Sequence, residues 1–388
     1  MFFMHRVGIR MLMEGMKRKV FIVLILVFYL ETALFGLRPL LGIVIWIKLC
    51  LLAFFGLYIS RYIRTLSQLF IIGILFMISS FFESLLAVFQ YLSQSSLNSW
   101  LYYLGERTFT GTTPGIANAV VDGTLFLRPY GTFPHPNVLA GFLLIVSLYI
   151  LFIVARRSTG FVRYVSAGIL VLNSIVILLT LSRVVILLWF VFVSSILLSV
   201  LLKKRTFKKS IFFAGVAGIT LSMVLLPFLK ILLGRFAETS LFEEAVSYRI
   251  ELISSAIEII RNHPFTGVGL GNFIPALNTV REPLSVGLYF QPVHNIFLLV
   301  ASETGILGFI LFLWFLIKTI RRLLSKMGKQ MALRKEYGVF LLLLLSILFI
   351  SLFDHYFLTL QQGMYLFAFV LGISWTRIND LRSEKNSV

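Results

Sequence analysis

The sequence predicts an all-α fold: a polytopic integral membrane helical bundle with about ten transmembrane helices and a large extracytoplasmic loop containing an amphipathic helix. Three observations predict it. The 388 residues are 59% hydrophobic and 13% charged, with a mean hydropathy of +0.96, which suits lipid and not a water-soluble domain. Apolar runs long enough to cross about 30 Å of hydrocarbon recur along the chain. Between them, the density of Lys and Arg alternates from one connection to the next, as the positive-inside rule requires.

The runs fall at about 20–37, 40–59, 66–92, 136–154, 164–182, 184–202, 210–233, 294–317, 337–353 and 357–375. Ten spans place both termini on one side. Lys17-Arg18-Lys19, Arg61 with Arg64, Arg156-Arg157, Lys203-Lys204-Arg205, Arg321-Arg322 and Arg377 then all fall in cytoplasmic segments. Most of the 35 cations do, so the net charge of +19 reads as topology and anionic-lipid contact, with no nucleic-acid partner. The first run follows basic residues, as a signal peptide would, but it has no small-residue cleavage site and is read as an uncleaved span. Cys50 lies inside an apolar run and reads as a small core residue, which leaves no disulfide framework. Glu31, Lys48 and Glu83 are charges within spans, and Lys48 and Glu83 fall at a similar depth, where they can pair.

The chain reads as a single membrane domain, 1–388, with two connections too long to be simple links: 93–135 and 234–293, both extracytoplasmic. In the second, Ser240-Leu241-Phe242-Glu243 is a capping-box pattern. Ala245, Arg249, Leu252, Ala256 and Ile260 then recur at helical spacing until Asn262-His263-Pro264, giving a helix over about 241–262 on or near the outer face.

Five clusters carry chemistry. Arg128-Pro129-Tyr130-Gly131-Thr132-Phe133-Pro134-His135-Pro136-Asn137 leads into the fourth span, with His135 and Asn137 in its first turn. Ser182-Arg183 puts a guanidinium between two very apolar spans, where it needs an anion or several carbonyls as partner. Arg249 is followed by His263-Pro264-Phe265-Thr266-Gly267-Val268-Gly269-Leu270-Gly271-Asn272-Phe273. No strand precedes these glycines and the loop faces outward, which excludes a dinucleotide fingerprint and leaves a tight turn whose backbone approaches something closely. His294-Asn295 opens the eighth span, ahead of Glu303-Thr304-Gly305, and the positive end of that helix suits a proton-accepting ring at His294. Asp354-His355-Tyr356 tops the ninth span, where Asp354 is placed to orient or charge-balance a neighbouring base.

Taken together, Arg128, Gly131, His135-Pro136-Asn137, Ser182-Arg183, Arg249 with the glycine motif, His294-Asn295 and Glu303-Thr304-Gly305 resemble the O-antigen ligase and O-antigen polymerase family of membrane glycosyltransferases. The resemblance runs over roughly 120–375; many relatives have about twelve spans. It implies a glycan donor linked to a polyprenyl diphosphate such as undecaprenyl diphosphate, and a glycan or lipid acceptor. It further implies a bacterial inner (cytoplasmic) membrane location, a site facing the periplasm or cell exterior, and a place in lipopolysaccharide or other envelope polysaccharide synthesis. Cofactors and metal are expected to be absent, and transfer to invert the anomeric carbon. The leaving diphosphate is already activated, so the protein must supply cations for developing charge and a base for the acceptor hydroxyl. Arg183 and Arg249 suit the first task and His294 the second, with Arg128, His135, Asn137, Asn295, Glu303 and Asp354 as supporting candidates. Ligase and polymerase share this chemistry and stay open. A transporter or flippase of a lipid-linked glycan is the reading from another class, though no two-half repeat favours it.

Overall fold

The structure, a computed structural model, describes residues 23–121, 124–202, 239–280 and 291–379. Its helices are α1 (Val23–Leu34), α2 (Pro39–Tyr62), α3 (Leu66–Ser93), α4 (Pro136–Tyr149), α5 (Gly160–Leu179), α6 (Arg183–Leu202), α7 (Thr239–Asn262), α8 (Phe273–Val280), α9 (Ile296–Lys329), α10 (Arg334–Ile350), α11 (Tyr356–Thr359) and α12 (Gln361–Trp375). Every predicted run coincides with a helix except 210–233, which lies outside the described residues, as does the basic N-terminal segment. Among the described residues, five helices are long and apolar enough to cross a bilayer: α2, α3, α4 with its continuation to Ala155, α5 and α9. The chain is an integral membrane protein. The expected count of about ten spans is not confirmed: run 210–233 lies outside the described residues, and α10 has 17 residues and α12 has 15, against about 20 for a straight crossing.

Burial separates an inner helix from a peripheral one. In α4, 89% of the most apolar window is buried; in α2, only 6% is. The α4 helix therefore forms the axis of the bundle, packed by α3, α5, α6, α10 and α12, and α2 presents its apolar side chains outward, as a lipid-facing helix does. Lipid tails offer no hydrophobic drive for helix association, so small residues and buried polar contacts tie the bundle. Asn173 on α5 accepts from Ser84 of α3 at 2.8 Å and donates to Ser147 of α4 at 3.0 Å, while Trp189 of α6 donates to Ser174 of α5 at 3.1 Å. Gly141 on α4 lets the Tyr356 ring lie directly against the backbone.

Two local features differ from expectation. The 93–135 connection holds a 3-10 turn, Ser99–Leu104, and an antiparallel hairpin of β1 (Asn118–Val121) with β2 (Thr124–Leu127). The Asp122-Gly123 dipeptide between two runs of β-formers is the sequence signal for it. Lys48 and Glu83 do not pair: Lys48 is exposed on α2, while buried Glu83 accepts from the Thr132 N–H at 2.9 Å and the Thr132 hydroxyl at 2.5 Å. The carboxylate thus ties the 93–135 connection to α3.

A cavity of about 380 Å³ opens among α1, α2, α9 and α12. Its walls are almost wholly apolar, from Leu52, Phe312, Phe367 and Trp375 along its length to Pro292 and Thr359 at one end.

Candidate active site

The starts of α4, α6 and α9 and the end of α10 meet at one end of the bundle. Asn295 caps α9 by accepting the Leu298 N–H at 3.0 Å, and its amide donates to the Leu352 carbonyl at 3.1 Å. The Ile296 N–H donates to the Ser351 carbonyl at 2.9 Å. These bonds hold the first turn of α9 against the last turn of α10, so Asn295 sets the position of its neighbour His294 and not the chemistry around it.

Beside it, a chain of directed bonds joins the Arg128–Asn137 segment to the end of α5 and to Asp354-His355. Arg128 donates from Nε to the Thr180 carbonyl at 2.6 Å, at the end of α5, and from Nη2 to Asn137 Oδ1 at 2.7 Å. With its oxygen so engaged, Asn137 turns its amide Nδ2 to Asp354 Oδ2 at 2.9 Å. The other Asp354 oxygen accepts the His355 N–H at 2.8 Å and faces His294 Nδ1 at 3.7 Å. That last distance is too long for a hydrogen bond, and it leaves His294 Nδ1 buried without a hydrogen-bond partner among the described residues. The His294 and His355 rings lie 5.1 Å apart between centroids. His135 caps α4, accepting the Asn137 N–H on Nδ1 at 3.1 Å.

Electrostatics separate the groups. Burial pushes His135 down to about 4, reinforced by the Arg128 charge. Burial likewise pushes His355 down to about 4, with the Asp354 carboxylate opposing and His294 and Arg249 adding to it. Asp354 goes the other way. Burial raises it, but the nearness of His294 and His355 and the Asn137 hydrogen bond outweigh burial and hold it well below the ordinary carboxylate range. Arg249, brought in by α7, repels Arg183 at the start of α6, so the two guanidinium groups share one field. The structure therefore brings Arg128, His135, Asn137, Arg183, Arg249, His294 and Asp354 to one place.

His294, Asp354 and His355 offer donor atoms within 4.8 Å of one another, a spacing a divalent ion could use. Both Asp354 oxygens already accept hydrogen bonds, however, and Arg249 acts on the same cluster. That field favours an anion over a second cation. His355 was not among the residues the sequence singled out for the site. Its signal was adjacency to Asp354 at the end of a span.

Glu303 belongs elsewhere. The α9 helix breaks at Gly305 (φ 64°, ψ −173°), and the glycine motif fills the break. Val268 and Gly269 donate their N–H groups to the Ser302 and Glu303 carbonyls at 3.0 and 2.9 Å, and Ile306 donates to the Pro264 carbonyl at 2.8 Å. The Glu303 carboxylate then accepts the Gly271 N–H at 2.9 Å and the Phe273 N–H at 3.3 Å. The same turn holds the α1–α2 connection, since Leu37 donates to the Val268 carbonyl at 3.0 Å and Arg38 to Asn272 Oδ1 at 2.7 Å. The close approach expected of the glycines is thus to the backbone of α9, and Glu303 secures that turn.

No curated protein matches the chain. The family model described as O-antigen ligase matches residues 168–313. That segment holds Arg183, Arg249, the glycine motif, His294 and Glu303, while Arg128, His135, Asn137, Asp354 and His355 lie outside it and join the site through the fold. The family implies a ligase activity of the glycosyltransferase type, with a lipid-linked glycan and an acceptor as substrates. The match over 168–313 supports the membership of this chain in the O-antigen ligase family.

Proposed function

We propose that the protein transfers a glycan from a polyprenyl-diphosphate donor to an acceptor hydroxyl, on the extracytoplasmic face of a bacterial inner membrane. The observation that carries this is His294 facing Asp354, with Asn137 and Arg128 fixing the carboxylate and Arg183 and Arg249 close by. With its proton on Nδ1, the nitrogen that faces the Asp354 carboxylate at 3.7 Å, His294 leaves Nε2 as the acceptor of a proton. His294 takes the proton of the attacking hydroxyl. That oxygen forms the new bond to the anomeric carbon as the bond to the diphosphate oxygen breaks, and the single displacement inverts the carbon. Arg183 and Arg249 take up the charge that grows on the leaving diphosphate, a task bidentate guanidinium groups suit. The apolar cavity ends at Pro292 and Thr359, beside His294 and His355, and supports a site for the donor's prenyl tail. The step uses no nucleotide sugar and no metal.

One observation favours transport of a lipid-linked glycan: the break in α9, since transporters place ion and substrate sites at interrupted helices. Here the freed backbone groups are taken up by the glycine turn, which leaves the enzyme reading the stronger. Turnover by purified protein in detergent separates the two, because a transporter needs a sealed membrane and an enzyme does not. In that assay His294→Gln is expected to fold normally, bind donor and lose roughly 10²–10⁴-fold in rate. Near-normal turnover would refute the base assignment. Ligase and polymerase are separated by the glycans of a deletion strain: full-length chains left on the carrier mark a lost ligase, and single-unit products mark a lost polymerase.

A further inference from the structure

The 3-10 turn Ser99–Leu104 carries Trp100, Tyr102, Tyr103 and Leu104 with their side chains exposed, Tyr103 at 88% and Trp100 at 63%. Four large apolar groups in so short a turn form a patch that water disfavours, and its place in the fold says what meets it. Glu106 closes the loop that carries the turn. Its Oε1 accepts the Leu97 N–H at 2.8 Å and the Gln90 amide at 2.9 Å, while its own N–H donates to the Leu101 carbonyl at 3.1 Å. Gln90 lies in the last turn of α3, and Leu104 stands no more than about 7 Å along the chain from Glu106. The turn is therefore held beside the end of that helix. On α3 itself, Ile71, Leu75, Ile78, Leu85, Phe89 and Leu92 recur at helical spacing and are all exposed, as a lipid-facing stripe is. From Ile71 to Leu92 the stripe runs about 32 Å at 1.5 Å per residue, which matches the roughly 30 Å of a hydrocarbon core. Leu92 thus marks the edge of the hydrocarbon, and the aromatic turn follows at that edge. At the other end of α3, Tyr58 and Tyr62 of α2 are exposed with their rings 4.5 Å apart, next to exposed Arg61, and mark the opposite interface. Trp and Tyr collect at both interfaces because their rings are apolar and their tips polar.

We propose that Ser99–Leu104 is a membrane foot: it docks on the phospholipid leaflet at the site's end of the bundle, with the Trp100, Tyr102 and Tyr103 rings among the headgroups and Leu104 against the acyl chains. The turn holds no acid, amide or cation to bond a sugar's hydroxyls beside its rings, which favours lipid over a glycan as its partner. The foot is tied to the scaffold of the site. Gln90 Oε1 accepts the Tyr130 and Gly131 N–H groups at 3.0 and 2.8 Å, and its amide donates to the Gly131 carbonyl at 3.0 Å as well as to Glu106. Arg107, the residue after Glu106, donates to the Pro134 carbonyl at 2.7 Å. Contact with the bilayer is thereby passed to the segment that carries Arg128, His135 and Asn137, and sets the depth at which that segment stands. The docking holds whatever reaction the site performs.

Depth is the quantity to measure. Leu92→Cys, Tyr103→Cys and Thr112→Cys, each in a Cys50→Ser background, are labelled with a polarity-sensitive thiol fluorophore in nanodiscs of phosphatidylcholine and phosphatidylglycerol. Leu92→Cys reports the lipid-facing stripe, and Thr112→Cys an exposed polar turn of the same connection. The probe at 103 should emit to the blue of the one at 112, be quenched by lipid bearing a nitroxide at its headgroup, and be shielded from aqueous iodide. Trp100→Cys should behave as Tyr103→Cys does, which guards against one variant failing to fold. Probes at both rings that match the one at 112, with no quenching by the nitroxide lipid, would overturn the proposal. Shielding that appears only when a soluble oligosaccharide is added would make the patch a glycan platform, and shielding seen only in discs holding two chains would make it an interface between copies; either result overturns the foot. The tie to the scaffold is read by hydrogen exchange. Replacing Trp100, Tyr102 and Tyr103 together by Ser should speed exchange across residues 128–134 in the nanodiscs and leave the thermal midpoint in detergent unchanged. Unaltered exchange would overturn the tie, and a lowered midpoint in detergent would make the rings packing residues instead of a foot.

Discussion

Asp354 shows how a single carboxylate organises this protein. Its oxygens are held by Asn137 and by the His355 N–H, and it stays ionised in a buried place because three neighbours favour the charge. The same burial that keeps Asp354 useful makes the fold sensitive to acid. His135 and His355 sit near 4 when folded and near 6.5 when unfolded, so the unfolded chain binds more protons between those values. Stability is full above about pH 6.5, falls as the pH drops toward 4, and levels off for these two groups below that, while the loss from Asp354 continues lower. Thermal unfolding followed from pH 7.5 to 4 should show this decline, and His135→Gln should shallow it; a flat profile would mean that neither ring is buried neutral. His294, Asp354 and Arg183 were legible in the sequence because each is a polar residue at the end of an apolar run, where only a reason keeps it, and Arg249 because it stands in an amphipathic helix just ahead of the glycine motif. His355 was not legible as a site residue, since its place beside His294 depends on how the ends of α9 and α10 meet in the fold. For Glu303 the sequence showed an acid near His294 but not the glycine turn whose Gly271 and Phe273 N–H groups its carboxylate accepts.

Among the elements, α9 is the one whose sequence and structure explain each other most fully. An unbroken span would need no glycine motif, and a glycine motif without a broken span would have no partner for its amides. Gly305 occupies a region of backbone space open almost solely to glycine, and a side chain there would run into the Phe265 carbonyl. Gly305→Ala is therefore expected to cost on the order of 1–3 kcal/mol from backbone strain, with the collision added. Denaturation of the purified variant should show a clearly lowered midpoint with wild-type helix content at low temperature; an unchanged midpoint would mean that the break is dispensable. Helix positions were readable from apolar runs, and the helix expected over about 241–262 spans Thr239–Asn262. The hairpin in the 93–135 connection was passed over because an apolar background hides a short alternating pattern, and the break in α9 because a glycine inside an apolar run reads as packing until a second backbone is found against it.

For the molecule as a whole, composition fixed the membrane class, and charge alternation suggested which end faces outward. The site lies at the end of the bundle that this pattern assigns to the extracytoplasmic side. Asn262→Cys, placed in a Cys50→Ser background, should react with a membrane-impermeant thiol reagent in intact cells; labelling only after lysis would reverse the orientation and remove the periplasmic donor from consideration. What hydropathy left unreadable was the sorting of helices into inner and outer, since α2 and α4 are similarly apolar but differ almost completely in burial. The stitched break in α9 also bears on how the chain is made. Until residues 264–269 are in place, the Ser302 and Glu303 carbonyls have no partner, and an unpaired backbone group in hydrocarbon costs several kcal/mol. The segment that satisfies them is synthesised about thirty residues earlier, so translation order delivers the clamp before the helix that needs it. Biogenesis of this protein therefore depends on the glycine turn having reached its side of the bilayer before α9 leaves the translocon, and a chain with those two segments in reverse order would insert with its central span unfinished.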